Sequence, residues 1–142
     1  MTGKIRQELE QVDWNSPKEI VSFYDSNILY FNHVNIDTDI SKSEELIDVK
    51  LSYSYALIDL GHFTKCYQVI KTLNIGLNGI KNKKTNKYRE KYEKYLFAEG
   101  VVLSKLKRYE ESLEIFNELI NIDPEKNLYG DWLKSLRTTI SL

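Results

Sequence analysis

The chain has 142 residues, a formal net charge of −1 and 42% hydrophobic residues, the size and composition of one globular domain. Its single cysteine excludes an internal disulfide and a cysteine-based zinc site, and no apolar run reaches the 18 residues of a membrane-spanning helix. The first residues show no apolar signal segment, so we expect a cytoplasmic protein without a membrane partner.

Apolar residues recur every three or four positions along most of the chain, and no segment shows a sustained alternation of period two. This pattern predicts an all-α fold of about seven helices. The apolar stripes lie within residues 5–12, 20–31, 46–58, 63–80, 88–106, 109–120 and 128–140. The two longer connections fall at 34–40 and 81–86.

Several helix boundaries are marked by residues with known capping roles. The segment 16–19 (Ser-Pro-Lys-Glu) predicts a capping box, in which the serine oxygen accepts a backbone N–H and the glutamate reaches back. Gly61 predicts a left-handed C-cap, and Pro124 marks the last break between helices. We expect Trp14 and Trp132 to anchor the terminal helices, with Trp132 covering the open end of the helical stack.

An internal repeat appears when residues 47–78 are laid over residues 93–124, an offset of 46 positions. Small residues then meet small ones, and aromatic or aliphatic residues meet their like, across two helices and a turn. The matched pairs include Ser54 with Gly100, Leu57 with Leu103, Gly61 with Lys107, Phe63 with Tyr109, Cys66 with Ser112, Ile70 with Phe116 and Leu73 with Leu119. A helical hairpin cannot cover its own apolar face, so we expect the copies to stack.

The second copy resembles a tetratricopeptide repeat (TPR). The resemblance rests on the small Gly100, the aromatic Tyr109 that opens the second helix, Ser112, Phe116 and the closing Pro124. It implies a single domain, 1–142, built as an α-α superhelix of TPR-like helix-turn-helix repeats. Its parts would be N-terminal helices in 1–46, repeat 1 in 47–80, repeat 2 in 85–124 and a capping helix in 125–142. The offset of 46 exceeds the usual 34 residues of this family.

The resemblance also implies a function, because TPR proteins bind a peptide or a partner helix on a concave surface formed by the first helix of each repeat. The residues expected to line this surface are Leu51, Tyr55, Ile58, Asp59, Lys94, Phe97, Val101, Ser104 and Lys105. These positions interleave with the core stripe, and several are more apolar than a solvated helix face requires. We therefore expect a noncatalytic module that binds another protein or peptide, unless the N-terminal helices fold over this surface. One alternative is a self-associating regulatory module, a homodimer through the same surface.

A second alternative comes from the stretch 81–95, which mixes basic and aromatic side chains; residues 81–107 hold nine basic and three acidic residues. Such a stretch can contact phosphates and stack on bases, as in a nucleic-acid accessory protein. The spacing of Tyr88, Tyr92 and Tyr95 is instead typical of a buried helical stripe, which argues against a nucleic-acid partner.

Residues that could carry catalysis are few. His33 and His62 are the only histidines, and no metal, nucleophile or phosphate-loop motif surrounds them. Cys66 occupies a packed small-residue position, where a thiol is expected to be inert. We therefore predict no enzymatic activity, no cofactor and no metal site.

Overall fold

A computed structural model describes the backbone of residues 3–33, 40–81 and 86–141, and the side chains of residues 3–32, 44–73 and 88–141. Within these ranges all regular secondary structure is α-helical, which confirms the predicted fold class. The helices are α1 (Gly3–Gln11), α2 (Pro17–Ser26), α3 (Ile28–His33), α4 (Ile40–Asp59), α5 (Phe63–Lys81), α6 (Asn86–Lys105), α7 (Tyr109–Ile122) and α8 (Asn127–Ser141). The predicted connections 34–40 and 81–86 fall largely outside the described residues.

The described residues form eight helices instead of seven, because the predicted stripe 20–31 divides at Asn27 into α2 and α3. The Asn27 backbone N–H donates to the Tyr24 carbonyl at 3.0 Å. Its side-chain amide donates to the Phe23 carbonyl at 2.8 Å and to Glu8 Oε2 at 2.9 Å. An asparagine side chain that bonds to nearby backbone competes with the helical hydrogen-bond ladder, and the helix stops.

The start of α2 forms half of the predicted capping box. Ser16 Oγ accepts the Glu19 backbone N–H at 3.3 Å, and Pro17 follows as the first helical residue. The Ser16 N–H donates instead to the Asp13 carbonyl at 2.9 Å. The expected return bond from the Glu19 side chain is therefore wrong, since a turn over residues 13–16 already satisfies that donor.

The 46-residue offset reappears as three-dimensional geometry. Both α4 and α6 contain 20 residues, and their first and last residues correspond at that offset. The turns that follow correspond as well, because Gly61 has φ +79° and Lys107 has φ +64°. In each turn the next N–H donates to the carbonyl five positions earlier, at 2.8 Å in both copies. Both helices thus end in the same Schellman motif, and the C-cap predicted at Gly61 is confirmed.

A buried hydrogen bond is also repeated inside the two hairpins. Cys66 Sγ donates to the Ser54 carbonyl at 3.3 Å, and Ser112 Oγ donates to the Gly100 carbonyl at 2.6 Å. These are the small-residue pairs that the sequence alignment matched, and both donor side chains, Cys66 and Ser112, are fully buried. The two hairpins, α4–α5 and α6–α7, therefore share the length of their first helix, the turn that follows it and this buried hydrogen bond.

Each helix from α4 to α8 contacts the next along the chain, and α4 also contacts α2 and α6. One continuous core runs through these layers. At the N-terminal end the Tyr24 ring stacks on the Tyr53 ring, with 3.7 Å between centroids. At the other end Trp132 of α8 stacks on Phe116, with 5.2 Å between centroids, which is the covering position predicted for this tryptophan. None of the helices in the described ranges is long and apolar enough to cross a membrane.

Candidate functional site: a groove between α2, α4 and α6

A surface groove of about 610 Å³ lies between the start of α2, one face of α4 and the first half of α6. We call it the α2–α4–α6 groove. Its lining residues are Trp14, Asn15, Pro17, Ile20, Asp48, Leu51, Ser52, Tyr55, Ala56, Asp59, Glu90, Lys91 and Lys94. This volume falls within the range of ligand-binding clefts in proteins.

The α4 side of the groove is a stripe of residues at helical spacing. Asp48, Ser52, Tyr55 and Asp59 follow one another at intervals of three or four positions, so their side chains share one face of the helix. Leu51 lies beside them and is only 4% exposed. The two carboxylates at the ends of the stripe are exposed. The groove therefore has an apolar base, with a charged group at each end of its α4 wall.

Two contacts fix α4 and α6 to one another at this groove. Lys91 Nζ forms an ion pair with Asp48, and the Lys91 side chain is only 12% exposed. Tyr55 Oη donates to the Lys94 carbonyl at 2.8 Å. Burial raises the pKa of Tyr55, so this phenol stays a neutral donor at physiological pH. The two walls are thus held by side chains that belong to the groove itself.

Only one ion pair forms among the charged residues that line the groove, within the described part of the chain. Lys91 neutralises Asp48, whereas none of Asp59, Glu90 and Lys94 makes an ion pair or a side-chain hydrogen bond with a described residue. The residue one turn beyond Lys94 on α6 is Ala98, which is uncharged and fully buried. The groove lining thus holds three carboxylates and two lysines, and Asp59 makes no ion pair with any described residue.

The third wall comes from the start of α2, which the sequence pattern did not predict. Trp14 and Pro17 line the groove, and Ile20 adds a buried side chain to its base. Trp14 touches the Phe23 ring edge-on, with 6.2 Å between centroids, and remains 39% exposed. An anchoring tryptophan was expected here, but a ring left this exposed also offers a contact surface. The only sequence signal for this wall was the alternative that the N-terminal helices cover the repeats.

Four of the nine predicted binding residues line the groove, namely Leu51, Tyr55, Asp59 and Lys94. The other five, Ile58, Phe97, Val101, Ser104 and Lys105, are not among its lining residues. The expectation that these positions lie outside the core is wrong for Leu51 and Val101, which are 4% and 7% exposed. Their side chains are packed between neighbouring helices and offer little surface for direct contact with a partner.

Phe97 belongs to an aromatic cluster that joins α6 to α8. Its ring centroid lies 6.0 Å from those of Phe116 and Tyr129, and 6.5 Å from that of Trp132. Tyr129 Oη also donates to Glu93 on α6 at 2.6 Å. Part of the α6 surface expected to meet a partner is thus engaged by α8. A polar substitution at Phe97 would therefore perturb folding as well as any binding.

The tyrosines of the basic stretch 81–95 pack towards the body of the protein. Tyr95 is 4% exposed, and Tyr92 Oη donates to Glu118 of α7 at 2.7 Å. Tyr88 and Tyr92 stack with 5.5 Å between centroids, and both are half-buried. This confirms the buried stripe that their spacing predicts. The side chains of residues 81–87 lie outside the described residues.

The cysteine, the histidines and the carboxylates of the described residues form no recognisable catalytic or metal site. Burial raises the pKa of the Cys66 thiol to about 12, so this group is protonated at neutral pH and is a poor nucleophile. The described residues hold no cluster of three or more His, Cys, Asp and Glu side chains that could bind a metal ion. The His33 side chain and the 34–39 segment lie outside the described residues.

Comparison of the chain with protein-family models, with curated proteins and with solved structures finds no match. The interpretation of the α2–α4–α6 groove therefore depends on its own residues and on the repeated hairpins that carry it.

Proposed function

We propose that this chain is a noncatalytic, TPR-like interaction module that binds a short segment of another protein in the α2–α4–α6 groove. One observation carries the proposal. The groove combines a buried apolar base, the exposed ring of Trp14 and three charged groups, Asp59, Glu90 and Lys94, that find no ion-pair partner among the described residues.

The repeated hairpins support the TPR-like part of the proposal. Both copies have a small residue, Ser54 or Gly100, at the close approach of their two helices. Both also place a first helix, α4 or α6, on the groove. In TPR proteins the first helices line the binding surface, and a continued right-handed stacking of the hairpins would give the α-α superhelix. The start of α2 adds a third wall that the family pattern does not include.

The chemistry of the lining favours a peptide segment. Trp14 and Tyr55 are rigid side chains with large apolar surfaces, the type that contributes most to protein recognition for little loss of conformational entropy. Apolar side chains of a ligand could cover Leu51 and Ile20, while its polar groups meet Asp59 and Lys94. A groove of about 610 Å³ has room for a few such side chains, but not for a folded domain.

A matched pair of serine variants tests this proposal. Ser52 lines the groove and Ser104 lies on α6 outside its lining, and both are half-buried. Peptides from a random displayed library are selected on the wild-type chain and then measured on Ser52→Arg and Ser104→Arg. An arginine at position 52 would occupy the groove, so we expect selected peptides to lose most of their affinity for Ser52→Arg and to keep it for Ser104→Arg.

Circular dichroism spectra of both variants provide the folding control. Peptides that bind all three proteins equally would show that they use another surface, and the groove assignment would be wrong. If no peptide is enriched above the level found on an unrelated helical protein, the peptide-binding function itself would be refuted.

A further inference from the structure

The charge left over in the α2–α4–α6 groove points to the chemistry of its occupant. Asp48, at one end of the α4 stripe, is neutralised by Lys91 of α6. Asp59, at the other end, is exposed and has no ion-pair partner among the described residues, and the same is true of Glu90 and Lys94 on α6. Two unpaired carboxylates and one unpaired ammonium group leave a net negative charge, which favours a cation from outside the chain.

Aromatic rings lie on the same surface as this carboxylate. Tyr55 precedes Asp59 by four positions on α4, so the two side chains are neighbours on one helix face. Trp14 lines the same groove and is 39% exposed. A carboxylate that shares a groove with aromatic rings is a setting that a guanidinium or ammonium group favours, because charge-assisted hydrogen bonds and cation–π contacts can act together.

We infer that the groove selects segments with an arginine or lysine whose cationic group contacts Asp59 and the ring of Trp14 or Tyr55. The aliphatic stem of that side chain would lie along the apolar base of the groove. This inference rests on the proposed peptide-binding function and adds the charge of the ligand to it. It also sets the groove apart from a phosphate-binding surface, since the three carboxylates of the lining, Asp48, Asp59 and Glu90, outnumber its two lysines.

The test is a double-substitution cycle between the protein and its selected peptides. Each peptide is synthesised with its basic residue and with a neutral analogue, citrulline for arginine or norleucine for lysine. Affinities are measured by calorimetry on the wild type, on Asp59→Asn and on Asp131→Asn. Asp131 is an exposed aspartate of α8 outside the groove and serves as the matched control.

We expect the neutral peptide to bind the wild type and Asp131→Asn about tenfold more weakly than the basic peptide, the effect of one charge-assisted hydrogen bond. On Asp59→Asn the two peptides should differ by less than about twofold, because the charge they distinguish is gone. An equal loss on wild type and Asp59→Asn would overturn the inference. So would groove-dependent peptides that lack basic residues, although the proposed function would then stand. Peptides insensitive to Ser52→Arg would instead refute the proposed function.

Discussion

Substituting alanine for Gly100 tests the close approach between α6 and α7. A Cβ atom at Gly100 would lie 2.8 Å from Phe116 Cε2 and 3.1 Å from Ile115 Cγ2. Phe116 is fully buried and stacked on Trp132, so its ring cannot move without disturbing the contact with α8. Gly130 provides the control, because it lies in α8 and its Cβ would meet no atom within 4 Å.

Both substitutions gain stability from replacing a helical glycine, but only Gly100→Ala adds a methyl group to a packed core. Replacing a helical glycine by alanine stabilises the folded state by about 0.5–1 kcal/mol at either position. Only at Gly100 must the core accept an added methyl group against packed neighbours, which costs about 1–3 kcal/mol. We therefore expect Gly130→Ala to be more stable than the wild type, and Gly100→Ala to be about 1–3 kcal/mol less stable than Gly130→Ala.

Urea unfolding followed by circular dichroism at 222 nm measures both free energies by linear extrapolation. A second measurement repeats Gly100→Ala in a Phe116→Leu background. There the smaller side chain gives the methyl group room, and the alanine should cost less than it does beside Phe116. If Gly100→Ala proves as stable as Gly130→Ala in the wild-type background, the close approach is not the reason for glycine at this position.

Three further predictions follow from the repeated turns and from buried side chains. Residues 61 and 107 both have positive φ, which glycine adopts more easily than other residues. In urea denaturation, Lys107→Gly should therefore raise the free energy of unfolding by about 0.5–1 kcal/mol, and Gly61→Ala should lower it by about 1 kcal/mol. A stabilising Gly61→Ala or a destabilising Lys107→Gly would contradict this interpretation of the turns. Ser112→Ala should lower the stability of the fold by about 1 kcal/mol in thermal unfolding, because the buried hydrogen bond to the Gly100 carbonyl is lost. Ser112→Cys should lower it less, since a thiol makes the equivalent bond in the first hairpin. An equal loss of stability in both variants would refute this equivalence. Burial raises the pKa of the Cys66 thiol to about 12, above its unfolded value near 9, so unfolded chains lose this proton first and stability should fall as the pH rises above about 9. Circular dichroism across an alkaline titration tests this effect against Cys66→Ser, which should lose less stability over the same range.

The periodicity of apolar residues was sufficient to predict the helices, because residues three and four apart share a face whatever the helix packs against. The turns at Gly61 and at Lys107 were also predictable, because each is closed by a backbone hydrogen bond between residues only five positions apart. The internal repeat was also predictable, since a repeated hairpin needs repeated residue sizes at its own helix contacts. The break at Asn27 was missed because its side chain bonds both to the local backbone and to Glu8 of another helix.

The candidate site was only partly predictable. Tyr55, Asp59 and Lys94 were found from their place on the first helices, but Trp14 was not, because no local pattern relates residue 14 to residue 55. The predicted role of Phe97 also depended on whether a later helix would cover α6. The structure places α8 there, with Trp132 and Tyr129 around the phenylalanine ring.

The sequence by itself determined every helix except the division between α2 and α3, together with the likeness of the two hairpins and the turns between their helices, since each is specified by residues close together along the chain. Only the tertiary structure decided that the start of α2 becomes the third wall of a groove, and that Asp59 makes no ion pair there with any described residue. These features arise where helices distant in sequence meet. Their arrangement is set by the summed packing of many weak contacts, which no periodic pattern within a single helix records.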